Sequence, residues 1–531
     1  MDAILHGFSV ATEPINLLAV LLGCILGIVV GVLPGLGPIT TISILIPFTY
    51  AMSPATAIIL LAGVYAGVMY GGTVTSVLLR LPGEAASVVT AIDGYEMARR
   101  GRAGPALGIS AIGSFVGATV ALVGLTFFAP ALADLALHLG PPEYATLAIF
   151  GLMLIAYLGG GSFPKAMVAA GAGLFLATVG LDPISGAVRF SGDSLQLVDG
   201  FEVVAIVLGL FGIGEVLYNL RPGSKDDGDA VTTKIGKVFP SRADLRRSRG
   251  AIGRGSVLGT LVGLVPGGGG LVSSLVSYGV ERRVAKHPEE FGKGAIEGVA
   301  GPETANNASS TSAFVPLLSL GIPFNVTVSL LFSVLLVHGI TPGPQLVDEH
   351  PDVFWGVIAS MYIGNIVLLI LSLPLIGVFV QILRLKFSVL APLIVTVSLI
   401  GLYTIDNNTW SMWVAITFGV VGYLMRLWGF PLGPMVLAFI LGEILESALR
   451  QSLILSGGSF DIFVTRPGSL TILLLVAAII FYSVASLLRA RAKRERGGAV
   501  SSESSRAPEN GPSAPDGSAL SAGQHRLVEK K

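Results

Sequence analysis

Several stretches of this chain run for more than twenty residues without a charged side chain, among them 104–129 and 304–337. Apolar runs occupy 16–33, 55–79, 104–129, 144–158, 165–180, 201–220, 252–266, 304–320, 354–382, 388–402, 410–427, 433–454 and 470–488, with shorter ones at 39–48, 270–284 and 327–338. About 20 apolar residues span a bilayer as a helix. Only 12% of the residues are charged, about half the allowance of a soluble domain. A soluble helix would also show a polar face at 3.6-residue spacing, and almost none is present. The expected fold is an all-α polytopic membrane protein with about 12 transmembrane helices plus re-entrant or broken helices.

The other bulk properties exclude more than they indicate. Net charge is zero, so nothing points to nucleic acid. The single cysteine, Cys24, lies inside an apolar run and cannot form an intrachain disulfide. The first sixteen residues hold no lysine or arginine, so the basic region of a cleavable signal peptide is missing and the first span is expected to remain.

Basic residues set the expected orientation, because cytoplasmic loops collect them. Arg80 is the first in the chain, followed by Arg99, Arg100 and Arg102. Segment 221–254 carries Arg221, Lys225, Lys234, Lys237, Arg242, Arg246, Arg247, Arg249 and Arg254, and Arg282, Arg283, Lys286 and Lys293 follow. Arg384 and Lys386 form a further group, and another lies within Arg489–Arg496. Loop 130–143 and the whole of 294–383 have none. This places the N-terminus outside and the C-terminus inside. The expected organisation is a first transmembrane repeat over 1–220, a basic cytoplasmic linker over 221–251, a second repeat over 252–490 and a disordered tail over 491–531, rich in Ser, Pro, Gly and charge.

Two motifs interrupt the apolar runs in matching places: GVLPGLGPITT at 31–41 and GLVPGGGGLVSS at 263–274. Each heads a similar series of apolar helix, Pro-Gly break, short segment, loop and a span rich in Gly, Thr, Ser or Asn that ends at a proline turn. One series starts outside and the other inside, which reads as two inverted-topology repeats. Proline blocks helix continuation and glycine permits the turn. A break at membrane depth orphans backbone groups, so it is tolerated where it lines a cavity. Inverted-repeat transporters aim such half-helix N-termini at anionic substrate groups.

The candidate substrate-binding residues follow from that reading. At the first break they are Gly35, Gly37, Thr40 and Thr41, and at the second Gly268, Gly269, Ser273 and Ser274. The embedded stretch GGTVTS contributes Gly72, Thr73, Thr75 and Ser76. PETANNASSTS, 302–312, contributes Asn306, Asn307, Ser309, Ser310 and Thr311, whose oxygens could also ligate sodium at Asn306, Asn307 and Thr311. Close helix packing competes as an account of most of the 69 glycines, and an extramembrane polar loop competes for 302–312. Charged side chains within spans are few. Glu446 and Glu443 are expected to pair with Arg450, Glu215 and His338 to be packed interfacial residues, and Arg80 either to neutralise an anion or to snorkel toward lipid phosphate. No HExxH, CxxC or P-loop is present. No catalytic residue and no cofactor is expected.

The residues also match a known pattern. GVLPGLGP, GGTVTSVLLRLPGEAASVVTAIDGYEMARRGRAGPALG, GPETANNASSTSAFVPLLSLGIPFN and HGITPGP at 338–344 closely resemble the TctA family, the large membrane subunit of bacterial tripartite tricarboxylate transporters, over roughly residues 10 to 490. The resemblance implies a multi-pass permease of the bacterial inner membrane that works with a small membrane subunit (TctB-like) and a periplasmic solute-binding protein (TctC-like). It implies import of di- or tricarboxylates such as citrate, driven by a sodium or proton gradient. An ion-selective channel and a membrane-embedded enzyme are the competing classes.

Overall fold

The computed structural model describes residues 2–481 except 34–35, 82, 159–161, 183, 193, 222–235, 376–377, 379–386 and 407. The body Met1–Ile479 is one compact unit, and Ile480–Lys531 forms a second unit. The expected tail, Pro34, Gly35, Arg384 and Lys386 lie outside the described residues. Almost all of what is described is helix. The strand pairing among the described residues is a short antiparallel hairpin, Gly180–Leu181 against Val188–Arg189.

The first half comprises α1 (Asp2–Ala11), α2 (Pro14–Gly31), α3 (Pro38–Thr49), α4 (Pro54–Leu79), a 3-10 turn at Ala85–Val88, α5 (Thr90–Arg99), α6 (Ala103–Ala136), α7 (Pro141–Leu158) and α8 (Phe163–Ala177). After the hairpin, α9 (Val203–Val207) and α10 (Gly214–Asn219) are joined by a π turn over Leu208–Ile213. The second half comprises α11 (Arg242–Gly263), α12 (Gly270–Val284), α13 (Glu297–Ser312), α14 (Phe314–Leu320), α15 (Val326–Val337), α16 (Leu346–Glu349) and α17 (Pro351–Ser372), followed by helices Phe387–Asp406, Trp410–Leu427, Leu432–Leu455 and Pro467–Phe481.

Among the described residues, six helices are long and apolar enough to cross a bilayer: α2, α4, α6, α17, Trp410–Leu427 and Leu432–Leu455. Several of the remaining apolar helices have only 10–17 residues. The difference from a dozen full spans has local causes. The run 304–320 is divided between α13 and α14 at Ala313, and α11 begins at Arg242 with charged turns, ten residues before its apolar part.

Glycines set the closest helix contacts. Along α2, Gly23, Gly27 and Gly31 face Gly63, Gly67 and Gly71 of α4. A Cβ on Gly67 would lie 2.7 Å from the Cys24 carbonyl oxygen, and one on Gly71 2.5 Å from that of Ile28. In the second half Gly255, Gly259 and Gly263 of α11 meet Gly301, Ala305 and Ser309 of α13 in the same four-residue steps, with 2.6 Å between a Gly255 Cβ and the Gly301 oxygen. Small residues let backbones approach where lipid offers no hydrophobic gain for helix association. This stripe buries α13 from Gly298 to Ser312 between α11 and α6, with α12, α5 and α4 completing its surroundings.

The basic segment is held by ion pairs at the ends of these helices. Arg102 meets Asp244 at 2.5 Å, Arg247 meets Glu297 at 2.6 Å, and Arg254 makes a two-pronged contact with buried Glu281 at 2.6 and 2.8 Å. Asp93 on α5 accepts the backbone N–H groups of Gly294 and Ala295 at 2.7 and 2.9 Å and the Tyr278 hydroxyl at 2.9 Å. That carboxylate anchors the approach to α13 against the first half.

Candidate functional site: a buried polar centre

The polar stretch 302–312 is helix α13, with every residue from Gly298 to Ser312 buried. The loop reading is therefore corrected. Polar side chains on such a helix must find partners within the protein, and they do so mainly on the first half. Glu303 accepts hydrogen bonds from both Thr73 (2.8 Å) and Thr90. Asn306 Nδ2 donates to Glu84 Oε1 at 3.0 Å. Asn307 Nδ2 donates to Ser114 Oγ at 2.8 Å and to the Glu303 carbonyl at 3.1 Å.

Glu84 reaches this centre because α4 ends abruptly. Arg80 caps it in the left-handed region (φ 57°), and the chain turns back through Gly83 toward Gly72. A Cβ on Gly83 would lie 2.6 Å from the Gly72 Cα, and one on Gly72 2.7 Å from the Glu84 Cγ. Glu84 then caps the 3-10 turn, accepting from Ala86 N–H at 2.8 Å, while Ser76 donates to Ser87 Oγ at 2.7 Å.

The second half repeats this device. Gly321 ends α14 in the left-handed region (φ 68°), and Asn325 caps α15 by accepting from Val328 N–H at 2.9 Å. The sequences are Arg80-Leu81-Pro82-Gly83-Glu84 and Gly321-Ile322-Pro323-Phe324-Asn325. The Tyr65 hydroxyl of α4 sits beside Ser310, Asn325 and Thr327, with Glu84 nearby. The halves also exchange contacts: α12 packs on the first half's 3-10 turn and α3 packs on α15.

Two small cavities adjoin Tyr70, whose hydroxyl donates to Asn365 Oδ1 at 3.0 Å. One of about 30 Å³ is lined by Tyr65, Asn307, Ser310, Thr311 and Asn365 among others. The other, about 20 Å³, is bordered by Tyr70, Thr73, Ser110 and Ser372. A far larger cavity of about 780 Å³ lies between the hairpin and Leu432–Leu455, with Arg189, Gln345, Glu443 and Glu446 on its wall.

The residues expected at the site are distributed unevenly. Thr73, Asn306, Asn307, Ser310 and Thr311 belong to this centre or its cavities. Gly72 lies against Glu84, and Ser76 bonds into the same turn. Thr75 donates to the Gly72 carbonyl at 3.1 Å. The Ser309 hydroxyl is buried with no partner among the described residues. At the breaks, Thr41 and Ser273 spend their hydroxyls on their own first turns, on the Gly37 and Gly270 carbonyls. Thr40 donates at 3.1 Å to the Phe211 carbonyl, in the π turn whose wider hydrogen-bonding pattern is a feature of functional sites. Ser274 donates to the Pro302 carbonyl at 3.1 Å. Gly37 (φ −77°) and Gly269 (φ −10°) cap α3 and α12, and a Cβ on either would meet nothing within 4 Å. Neither takes a positive φ, the conformation that calls for glycine. Gly267 (φ 73°) has that need, and Gly268 is pressed on the Val262 carbonyl.

Of the other charged residues read from the sequence, Glu446, Glu215 and His338 have polar partners. Glu446 meets Arg450 at 3.2 Å as expected, and also Arg189 at 2.6 Å. Glu443 instead lines the large cavity. Glu215 is held by Arg426 and Asn219. His338 bridges the carbonyls of Val334 and Thr49 at 2.8 and 3.2 Å. Arg80 is exposed and lies 5.8 Å from the Tyr95 ring. Glu84 and Glu303 were not among the residues read as a site. The available signal was that each is an ionisable side chain bordering an apolar span, and ionisable groups at membrane depth are functional candidates by default. Among the described residues, no group of three or more His, Cys, Asp or Glu is placed to hold a metal ion.

A multi-pass helical membrane protein that encloses a polar, carboxylate-bearing centre within interlocked halves is what this fold and site define. The family model described as the tripartite tricarboxylate transporter TctA family matches residues 17–437, and the chain belongs to that family. It is 44% identical over 490 residues, 92% of this chain and 97% of the relative, to an uncharacterised 52.8 kDa protein in the TAR-I ttuC' 3' region of Agrobacterium vitis. An uncharacterised protein in the TAR-II ttuC' 3' region of the same organism is 44% identical over 238 residues, 45% of this chain and 98% of that protein. No solved structure matches.

Proposed function

We propose that this chain is the large permease subunit of a binding-protein-dependent secondary transporter that imports di- or tricarboxylates, driven by a sodium or proton gradient. The observation that carries the reading is the pair of matched return turns, Arg80–Glu84 and Gly321–Asn325, whose capping side chains flank Tyr65. Together with the matched glycine stripes they support two inverted-topology repeats, 1–220 and 252–490, and about a dozen membrane passages counting the short helices. Two equivalent turns around one polar centre suit alternating access by motion of one repeat against the other.

In this reading the substrate lies between the turns, met by hydroxyls, amides and the N-termini of α3 and α12. The cavity bordered by Arg189 and Gln345 is the outer entrance, where a periplasmic solute-binding protein delivers the substrate. A small membrane subunit completes the complex in the bacterial inner membrane, with the N-terminus outside and the C-terminus inside. A cysteine at position 230, outside the described residues, is then reachable only from the cytoplasm on a Cys24-free background.

Labelled citrate uptake into vesicles, with and without solute-binding protein and ion gradient, tests the proposal. Uptake that needs both supports it. Uptake down the citrate gradient alone indicates a channel, and chemical conversion of citrate indicates an enzyme.

A further inference from the structure

Glu303 is wholly buried, and neither it nor Glu84 takes part in an ion pair among the described residues. Both Glu303 carboxylate oxygens point at threonine hydroxyls, and the Ser110 hydroxyl is close by. Thr73 and Ser110 also border the cavity of about 20 Å³, together with the hydroxyls of Tyr70 and Ser372. That volume holds roughly one water-sized particle. One turn further along α13, Asn306 gives its Nδ2 to Glu84 and leaves Oδ1 buried with no partner among the described residues.

The other charged or titratable groups around this point are already committed or neutral. Asp93 on α5 caps the chain before α13, Glu281 on α12 pairs with Arg254 on α11, and Glu297 on α13 pairs with Arg247. Tyr65 and Tyr70 lie on α4, and Cys24 lies on α2. Burying an uncompensated carboxylate is costly, so it must be protonated or matched by a cation. Hydroxyl and carboxylate oxygens are the ligands a hard cation takes.

We infer that Glu303, with the hydroxyls of Thr73, Thr90 and Ser110, holds one monovalent cation, either a proton on the carboxylate or a sodium ion in the adjoining cavity. Thr73, which donates to Glu303, borders the one-particle cavity with Ser110, so this carboxylate and cavity match a single positive charge, whereas the Glu84 carboxylate is met by the Ala86 N–H and the Asn306 amide. The inference deepens the proposed function and rests on it for its consequence. An anionic substrate between Glu84 and Asn325 is repelled by Glu303 until that charge is neutralised, so cation and substrate raise one another's affinity by the same factor.

The test uses the full chain in nanodiscs without substrate, read as melting temperature. NaCl is compared with KCl and choline chloride at constant ionic strength, from pH 5.5 to 8.5. The site predicts that wild type is stabilised saturably by sodium over potassium and choline, or by falling pH with no sodium preference; the first result assigns sodium and the second the proton. Glu303→Gln removes the response. Thr90→Val, which keeps the carboxylate, shifts its midpoint at least threefold in sodium or by at least half a pH unit, and serves if the Gln variant does not fold. A wild type indifferent to both, a Glu303→Gln variant that keeps the full response, or a response to millimolar CaCl₂ in place of sodium overturns the inference. A cation response with no effect of added citrate would leave the cation site standing and count against carboxylate transport.

Discussion

Asn306 on α13 donates its side-chain amide to the Glu84 carboxylate at 3.0 Å, across 222 positions of sequence. The contact joins the buried helix of one half to the return turn of the other, so a change at either end is felt by both.

Replacing Asn306 with Leu removes the donor and strands a buried carboxylate oxygen. Loss of a partner from such a group costs about 1–3 kcal/mol, and more when the group is charged. Carboxylate uptake is expected to fall sharply while membrane insertion stays normal, checked by uptake and by quantifying the membrane-inserted protein. Asn307→Leu is expected to behave similarly, because its amide bonds both Ser114 and the Glu303 carbonyl. Unchanged uptake in both variants would make α13 a purely structural helix.

The glycine stripes predict where added volume is tolerated. Gly259→Val places a side chain against the Ala305 backbone, and overpacking of this kind costs about 1–3 kcal/mol. A Cβ at Gly279 of α12 meets nothing within 4 Å, so Gly279→Ala is expected to be neutral or stabilising by up to about 1 kcal/mol. Thermal denaturation of the purified variants separates the two, and equal melting temperatures would contradict the packing account.

At the breaks the need for glycine falls on Gly267. Gly267→Ala forces a left-handed alanine, costing about 1 kcal/mol. Gly37→Ala leaves the fold unstrained, and its effect should appear in substrate affinity alone, where a ligand approaches the N-terminus of α3. Arg80→Gln is expected to be mild, since the side chain is exposed against Tyr95. A normal melting temperature with weakened citrate dependence of uptake at Gly37→Ala is the expected result; full activity there would remove the first break from the site.

The hairpin carries a pH signature. The Arg450 hydrogen bond, followed by the backbone N–H groups of Ser185 and Ile184, holds the Asp182 carboxyl well below its ordinary pKa of about 3.9. A depressed folded pKa contributes stability that is present above the unfolded value and lost as pH falls through the folded one. The protection of 180–189 against hydrogen exchange, taken relative to the intrinsic amide rate at each pH, should therefore be unchanged from pH 7 to about 4.5 and fall below about pH 4. Asp182→Asn should exchange faster throughout and lose that step.

Much of the scaffold was legible because apolar length and Pro-Gly punctuation report helices locally. The expected starts at 16, 39, 55, 104, 270 and 327 lie within two residues of α2, α3, α4, α6, α12 and α15. What was not legible depended on chain returning to itself. Glu84 follows a span and reads as a loop residue; only the turn at Arg80, packed on Gly72, carries it into the core. Glu303 opens a polar run that composition alone could place in a loop, and its burial follows from the α11 glycines meeting Gly301, Ala305 and Ser309. At the breaks a Pro-Gly cluster signals interruption, but which glycine carries the positive φ is decided by neighbouring backbone.

The central claim is that substrate binds between the two return turns and is reached alternately from the two faces. The most direct measurement is alkylation of Ser310→Cys, on a Cys24→Ser background, by a membrane-impermeant reagent applied from each side with and without citrate. Reaction from both faces, slowed by citrate on each, is the predicted result. Reaction from one face only, with no effect of citrate while uptake persists, would contradict it.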